Sequence, residues 1–399
     1  MASRRLLWIL PYMPWPTTSG GKLRQFQLLR ELARRGHRIS LLILTKTLPT
    51  PEQREALQPW VEQLWVYPRR PLRSWQTLLA GVFAGPPLLA SINGYHPVLG
   101  RKLAELLEAS WDVVQLEHSY SLQPYLQVLQ GYRPGFVLTE HNIESELSRT
   151  TWQRLPAMLR PLARWDQWRY RRWERLAVRR ARQVIAMTEA DAEVLAGWAP
   201  TPVRVVPNGA DIEAGSRVHP DLMAGQLLFL GNYEYSPNLE AVRWLAEEIM
   251  PRIWAERPDA RLVIGGFAMP VEWAARWPDP RLQWLGYVED LPTLQASCSL
   301  FIAPLRDGGG SKLKVLEAMA AGLPLASTAQ GVSGLLARPE RDYLAADDSA
   351  GLAAAAIQLL SDPARAGTLG EAGRDYVRRH HSWQQVADTL EQVYQEMAA

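Results

Sequence analysis

The chain has 399 residues, too many for one ordinary core, so two domains of roughly 150–200 residues each are expected. A composition that is 47% hydrophobic and 21% charged excludes a disordered chain, and a net charge of +3 demands no nucleic-acid partner. Cys298 is the one cysteine, which excludes an internal disulfide and fits a reducing compartment.

The N-terminus MASRRLLWILPYMP sets Arg4 and Arg5 before an apolar run. Leu6–Leu10 is too short for a secretory signal core and stops at Pro11, so it reads as a buried first strand. Leu23, Phe26, Leu29, Leu32 and Ala33 recur at helical spacing over Lys22–Arg35, and Gly36 ends that helix. Ile39–Leu44, Trp111–His118 and Gly135–His141 read as strands, the last two running into polar tips. Strand–helix alternation with apolar, β-branched strands predicts a doubly wound parallel sheet.

The segment Trp152–Arg182 is dense in Arg and carries Trp152, Trp165, Trp168 and Trp173. Pro156 and Pro161 interrupt its start, so a helix is expected from about Leu162. Arg and Trp on one amphipathic helix suit an anionic membrane surface, here through residues 162–182. The plainer reading is a connecting helix with a packed Trp face and a solvated Arg face. No nucleic-acid module accompanies it. No apolar run approaches the roughly 20 residues a membrane helix needs. A cytoplasmic protein, peripheral at most at the inner membrane face, is expected.

After Asn208-Gly209 the pattern restarts. Gln226–Asn232 is a strand, Asn238–Met250 a helix and Arg261–Gly266 a strand, with RLQWLG, SLFIAPL and LPLAST following. This predicts a second doubly wound domain, with the boundary near Asp211–Pro220. Ligands of such sheets bind at the carboxyl ends of the strands, so the polar residues that follow strands are the ones to inspect.

Asp307–Gly322, DGGGSKLKVLEAMAAG, is the most informative of them. The strand Ser299–Leu305 runs into Gly308, Gly309 and Gly310, and a helix is expected from about Ser311. A glycine-rich loop entering a helix N-terminus presents backbone N–H groups and the positive dipole end, a site suited to a diphosphate. Lys312 can add charge, and Lys314 and Glu317 share a helix face. A carboxylate at Glu317 is placed to accept two ribose hydroxyls. Without the rest of the string, glycines alone would indicate only a surface loop.

The string resembles the donor-site signature of the family-4 retaining glycosyltransferases (glycosyl transferases group 1), in the subset with a Gly-Ser/Thr-Arg/Lys-x-Lys motif. Pro14–Gly21, VVPNGAD (Val205–Asp211), LLFLGN with Pro237-Asn238, LVIGG, LGYVEDL, APL and QGVSG are similar to family segments in order and spacing. The resemblance implies a GT-B fold: two Rossmann-like domains facing a cleft. It implies an N-terminal acceptor domain over 1–212 and a nucleotide-sugar donor domain over 213–380. A C-terminal helix over 381–399 would return to the first domain. It also implies retaining, metal-independent transfer of a sugar from a UDP- or GDP-linked donor, without a cofactor. The acceptor would be a saccharide or lipid-linked hydroxyl in glycan, glycolipid or exopolysaccharide synthesis.

Roles follow at matched positions. Lys312 and His141 would be catalytic, His141 touching the donor sugar. Glu317 would hold the ribose, and Gly309, Gly310, Ser311, Lys314 and Asn232 would bind the rest of the donor. Tyr287 and Val288 would flank the nucleobase, and Gly20 and Gly21 would close on the diphosphate. His118 is the rival active-site or acceptor histidine, and Glu117 or Glu140 could tune either ring. These strand-end His and Glu residues make only a weak case for a metal.

Two positions depart from the family pattern. The carboxylate many members carry eight residues before the ribose Glu is Gly309 here, and the segment NYEYSPN lacks the usual Arg–Lys pair. The alternatives are a non-catalytic nucleotide-sugar-binding partner, which both departures favour slightly, and a GT-B nucleotide-sugar epimerase, whose reaction needs acid/base carboxylates that the missing Glu leaves scarce. A NAD(P) enzyme is disfavoured because no GxGxxG follows the first strand.

Overall fold

The computed structural model describes residues 3–70, 96–146, 160–309 and 312–398, with residues 75, 79, 81, 85–88, 90 and 158 between them. Trp152, Pro156, Gly310 and Ser311 thus lie outside the described residues. The chain forms two compact units, one of Met1–Pro207 with Ala387–Ala399 and one of Asn208–Val386. Their junction precedes the Gly-bearing Asp211–Pro220 segment. The reason is local: Ala210 donates its N–H to the His381 carbonyl at 2.7 Å, binding that segment into the second unit.

The first unit carries a seven-stranded sheet in the order β3-β2-β1-β4-β5-β6-β7. The strands are β1 (Arg5–Leu10), β2 (Arg38–Thr45), β3 (Gln63–Pro68), β4 (Val113–Glu117), β5 (Val137–Thr139), β6 (Gln183–Ala186) and β7 (Arg204–Val205). All adjacent pairs are parallel. Leu6 through Leu10 are fully buried, which explains why β1 reads as an unbroken apolar run. The strands expected at Trp111–His118 and Gly135–His141 end earlier, at Glu117 and Thr139. His118 and His141 therefore stand just beyond the sheet.

The second unit carries a six-stranded sheet in the order β10-β9-β8-β11-β12-β13. Its strands are β8 (Gln226–Asn232), β9 (Arg261–Phe267), β10 (Leu282–Gly286), β11 (Leu300–Ala303), β12 (Leu325–Ser327) and β13 (Leu344–Ala345). These too pair in parallel. The helix expected over Asn238–Met250 begins at Ser236 and continues to Glu256 through a π-turn at Leu245–Ile249. Pro251 lacks an N–H, and a π-turn directly before it lets the helix continue past it.

The C-terminal helix Trp383–Ala398 enters the first unit from Ala387. Val386, Leu390 and Tyr394 are buried along one face. The Tyr394 hydroxyl accepts from Trp8 Nε1 at 3.2 Å and donates to Gln115 Oε1 at 2.5 Å, tying the helix to β1 and β4.

Candidate active site

Strand order locates a site in each unit. In the second unit the order reverses between β8 and β11, and such a switch point opens a crevice at the strand ends. The loop after β8 and the glycine loop after β11 meet there. Gly309 donates its N–H to the Tyr235 hydroxyl at 3.1 Å. Gly308 has φ of +117°, and a Cβ on it would stand 2.8 Å from that same hydroxyl, so glycine is required. Asp307 Oδ1 accepts from the Gly308 N–H at 2.7 Å, and Gln330 Nε2 donates to the Gly308 carbonyl.

Lys312 is the N-cap of the helix Leu313–Ala320, which starts later than Ser311. Its Nζ donates to the carbonyls of Gly308 and Gly309, both at 2.9 Å. Drawing these carbonyls to one side organises the turn around the lysine. Lys314 Nζ donates to Asn238 Oδ1 at 2.6 Å and lies 4.4 Å from the Phe229 ring centre. Asn238 in turn donates through Nδ2 to the Asn232 carbonyl at 2.7 Å, so Asn232, Asn238 and Lys314 form one chain across the switch point.

Burial, reinforced by the neighbouring Lys312 charge, pushes the Lys314 ammonium down to about 7. Burial and the Asp211 charge push Glu317 up to about 7. Each shift disfavours the charged form, the expected state of a partly buried site with its groups incompletely compensated. Tyr287 and Val288 follow the edge strand β10. Tyr287 is exposed, whereas Val288 packs on the cluster that holds Val315 and Leu316 of the helix after the glycine loop.

Tyr235 and Gln330 were not among the residues singled out from sequence. If the turn holds the diphosphate that the resemblance implies, replacing Tyr235 with Phe is expected to weaken nucleoside diphosphate binding by ~3–10-fold, the loss of one hydrogen bond that shapes the turn. Calorimetry checks this; an unchanged affinity would show that the hydroxyl is dispensable to the turn.

In the first unit the order reverses between β1 and β4. Tyr12 follows β1, His118 follows β4 and His141 follows β5. The His118 and His141 rings stack with centroids 4.1 Å apart, so the two rival histidines belong to one cluster. Tyr120 stacks on the other face of His118 at 4.7 Å, and Tyr12 Oη lies 3.0 Å from His118 Nε2. His118 has φ of +64°, a backbone strain that the surrounding cluster holds in place. Burial first, then the nearby His141, drives its imidazole well below the usual histidine range, so it is neutral.

Glu117 Oε2 is bonded to His141 Nε2 at 2.6 Å and accepts from Gln25 Nε2 at 3.4 Å, while Oε1 accepts from Gln115 Nε2 at 2.6 Å. Burial would raise this carboxyl, but the His141 hydrogen bond and charge, with the Arg24 charge, hold it below its ordinary value. Glu117 therefore orients His141, while Glu140 accepts from the Ser119 N–H at 3.0 Å and takes no part in that pairing. A Cβ on Gly21 would stand 2.3 Å from Tyr12 Oη and 3.4 Å from His141 Nδ1, so the first helix begins directly against the cluster. Gly20 is that helix's first residue and is exposed. Among the described residues, no three His, Cys, Asp or Glu side chains are grouped to hold a metal ion.

Two parallel doubly wound units, each with a polar cluster at its switch point, define a GT-B architecture. Comparison with known proteins agrees. Residues 19–209 match the glycosyl transferase 4-like domain, and residues 224–362 match glycosyl transferases group 1. The chain belongs to the family-4 glycosyltransferases of GT-B fold.

A GDP-mannose-dependent monoacylated alpha-(1-6)-phosphatidylinositol monomannoside mannosyltransferase of Corynebacterium glutamicum is 26% identical over 210 residues. That match takes in 48% of this chain and 55% of the relative, so the chain spans about half the length of that protein. Sucrose-phosphate synthase of Thermosynechococcus elongatus superposes with a TM-score of 0.69 at 17% identity, covering 99% of both chains. Anabaena HepE in complex with UDP and glucose superposes with a TM-score of 0.68 at 17% identity, covering 98% of this chain and 100% of its own.

Proposed function

We propose that the chain is a retaining glycosyltransferase that moves a sugar from a UDP- or GDP-linked donor to an acceptor hydroxyl. The observation that carries this reading is the hold of Lys312 Nζ on the Gly308 and Gly309 carbonyls at the β8/β11 switch point, beside Lys314 and the start of a helix. The relative named for GDP-mannose and the structure containing UDP support the choice of donor class.

In this reading the turn, with Gly310 and Ser311, and the helix terminus take the diphosphate. Glu317 accepts the ribose hydroxyls, backbone groups at Tyr287 and Val288 flank the base, and Asn232 lines the loop after β8. Within the first unit, Gly20 and Gly21 start the helix beside His141, which Glu117 orients. As the bond between the anomeric carbon and phosphate oxygen breaks, Lys312 and the helix dipole stabilise the charge that develops on the leaving diphosphate. The acceptor oxygen bonds the anomeric carbon from the same face and its proton passes to a diphosphate oxygen. The diphosphate charge is met by lysines and backbone, so this route uses neither metal nor cofactor.

The test is thermal unfolding against a panel of UDP, GDP and other nucleoside diphosphates, then nucleotide release from the matching sugar donors. One nucleotide should raise Tm by mass action. Glu317→Ala should weaken its binding by ~10–100-fold, the range for hydrogen bonds to a charged group. If no nucleotide shifts Tm and no donor is consumed, the reading is wrong.

Affinity should also depend on pH. An anionic ligand raises the Lys314 ammonium from about 7 in the free protein, so binding takes up a proton above that pH. Affinity is then greatest near pH 7: below it Glu317, itself raised to about 7, takes up a proton and holds the ribose less well, and above it affinity falls as pH rises toward 9. Lys314→Met should bind more weakly and lose this slope. Calorimetry at three pH values decides it; an equal slope in the variant assigns the proton elsewhere.

A further inference from the structure

The helix Arg160–Arg180 holds eight arginines against two acids. Both acids are turned inward: Asp166 Oδ1 accepts from the Leu88 N–H at 2.9 Å, and Glu174 Oε1 accepts from the Glu144 N–H at 2.7 Å. Arg169, Tyr170 and Trp173 are buried on the same side. The exposed part of the helix is unusual for a solvated face. Leu162, Trp165 and Trp168 are 59%, 40% and 55% exposed at intervals of three residues, and Met158 is exposed just before the helix.

Around this apolar stripe stand the exposed Arg160, Arg164, Arg171, Arg172, Arg179 and Arg180, with no exposed acid on the helix. Arg172 lies over the Trp168 ring at 4.9 Å. Gly81 gives its carbonyl to Arg169 Nη1 at 2.6 Å, and Trp75 and Leu79, a few residues before it, are exposed. The whole chain carries only +3, so this helix concentrates more positive charge than the entire protein has in net.

We infer that this face seats on an anionic lipid bilayer, with Leu162, Trp165 and Trp168 entering the headgroup–acyl boundary and the arginines on lipid phosphates. Charge complementarity selects this occupant. An unpaired apolar stripe would suit a second copy of the chain, but six exposed arginines on each of two facing surfaces would repel. A nucleic acid would satisfy the arginines and leave the tryptophan and leucine stripe without depth to enter. Tryptophan flanked by arginine is the pattern that partitions into the interface. Resting on the transfer reaction proposed above, the inference extends to substrate: an enzyme held at a bilayer meets acceptors anchored in it. Among the described residues no helix is long and apolar enough to cross a membrane.

The experiment is co-sedimentation of the full chain with vesicles of phosphatidylcholine alone and of phosphatidylcholine with phosphatidylglycerol. The intact protein should pellet with the anionic vesicles and remain largely in solution with the neutral ones, and high salt should release it. W165E/W168E and R171E/R172E should each raise the lipid needed for half-binding by ~10-fold or more. All four side chains are exposed, and each variant should keep the intact protein's nucleotide-induced Tm shift, which separates lost lipid binding from a lost donor site. Equal binding to both vesicle types, no binding, or variants that bind as the intact protein does would overturn the inference. So would a lipid-free dimer that W165E/W168E dissolves.

Discussion

Lys312→Ala is expected to lower donor-dependent kcat by ~10²–10³-fold while leaving the unfolding midpoint within a few degrees of the intact protein's. Two losses combine. The ammonium that meets the leaving diphosphate is gone, and so are both hydrogen bonds to the Gly308 and Gly309 carbonyls. Glycine has the largest backbone freedom to lose, so a turn of consecutive glycines needs such an internal tie to hold its N–H groups in place. Tyr235 and Gln330 retain their own contacts to Gly308 and Gly309, so the loop should remain folded but less ordered. Charge on the diphosphate grows only as the glycosidic bond breaks, so the loss should fall on kcat more than on KM. Lys312→Arg keeps the charge but cannot place one compact ammonium between two carbonyls at 2.9 Å, and should recover only part of the rate. Single-turnover measurements at saturating donor provide the check. A kcat unchanged in Lys312→Ala would remove the lysine from the chemistry.

The elements legible in the sequence are those whose reason is local. β1, β8 and β11 are continuous apolar runs because they lie in the middle of parallel sheets, buried on both faces. The glycine turn is legible because a positive φ at Gly308 leaves no other residue type. What was not legible depends on partners far apart in the chain. Tyr235 reaches Gly309 across 74 residues, and Gln330 reaches Gly308 across 22. Neither has a spacing that marks it.

The pairing of Glu117 with His141 rather than with its neighbour His118 likewise follows from β4 and β5 lying side by side, Glu117 opposite Thr139. One signal was available. Gln115 and Glu117 are polar residues two apart in an otherwise apolar strand, so they share a face. A buried strand keeps such a pair only when both are hydrogen-bonded, and here Tyr394, Gln25 and His141 meet them. The π-turn before Pro251 shows the opposite limit. The helix expected to end at Met250 runs on to Glu256, and the packing of Leu245, Ile249, Met250 and Ile253 in one core carries it through.

Glu391→Ala is expected to destabilise the first unit by about 3 kcal/mol, the low end for breaking a buried ion pair by deleting one partner. Glu391 lies on the part of the C-terminal helix that belongs to that unit and is 2% exposed. Its Oε1 is 2.7 Å from His37 Nε2, and Arg35 Nη1 donates to Oε2. The tautomer of His37 follows from its other nitrogen: Nδ1 accepts from the Arg4 N–H at 3.1 Å, so Nε2 carries a proton and donates to Glu391. Alanine would leave that N–H buried without an acceptor and remove one carboxylate from Arg35, which keeps Asp388. Burial by itself would raise the Glu391 carboxyl, but the His37 and Arg35 hydrogen bonds outweigh it and hold the group below its usual value. A carboxyl depressed by folding contributes stability that is fully present above its unfolded value, near 4.5, and is lost as pH falls through the folded one. Urea denaturation at pH 7 should therefore show the full penalty, and at acid pH the intact protein and Glu391→Ala should converge. Glu391→Gln keeps an acceptor for His37 without the charge, so it should cost less at pH 7 and flatten the acid slope. Equal urea midpoints for the intact protein and Glu391→Ala at pH 7 would show that the Glu391 contacts do not help hold the helix.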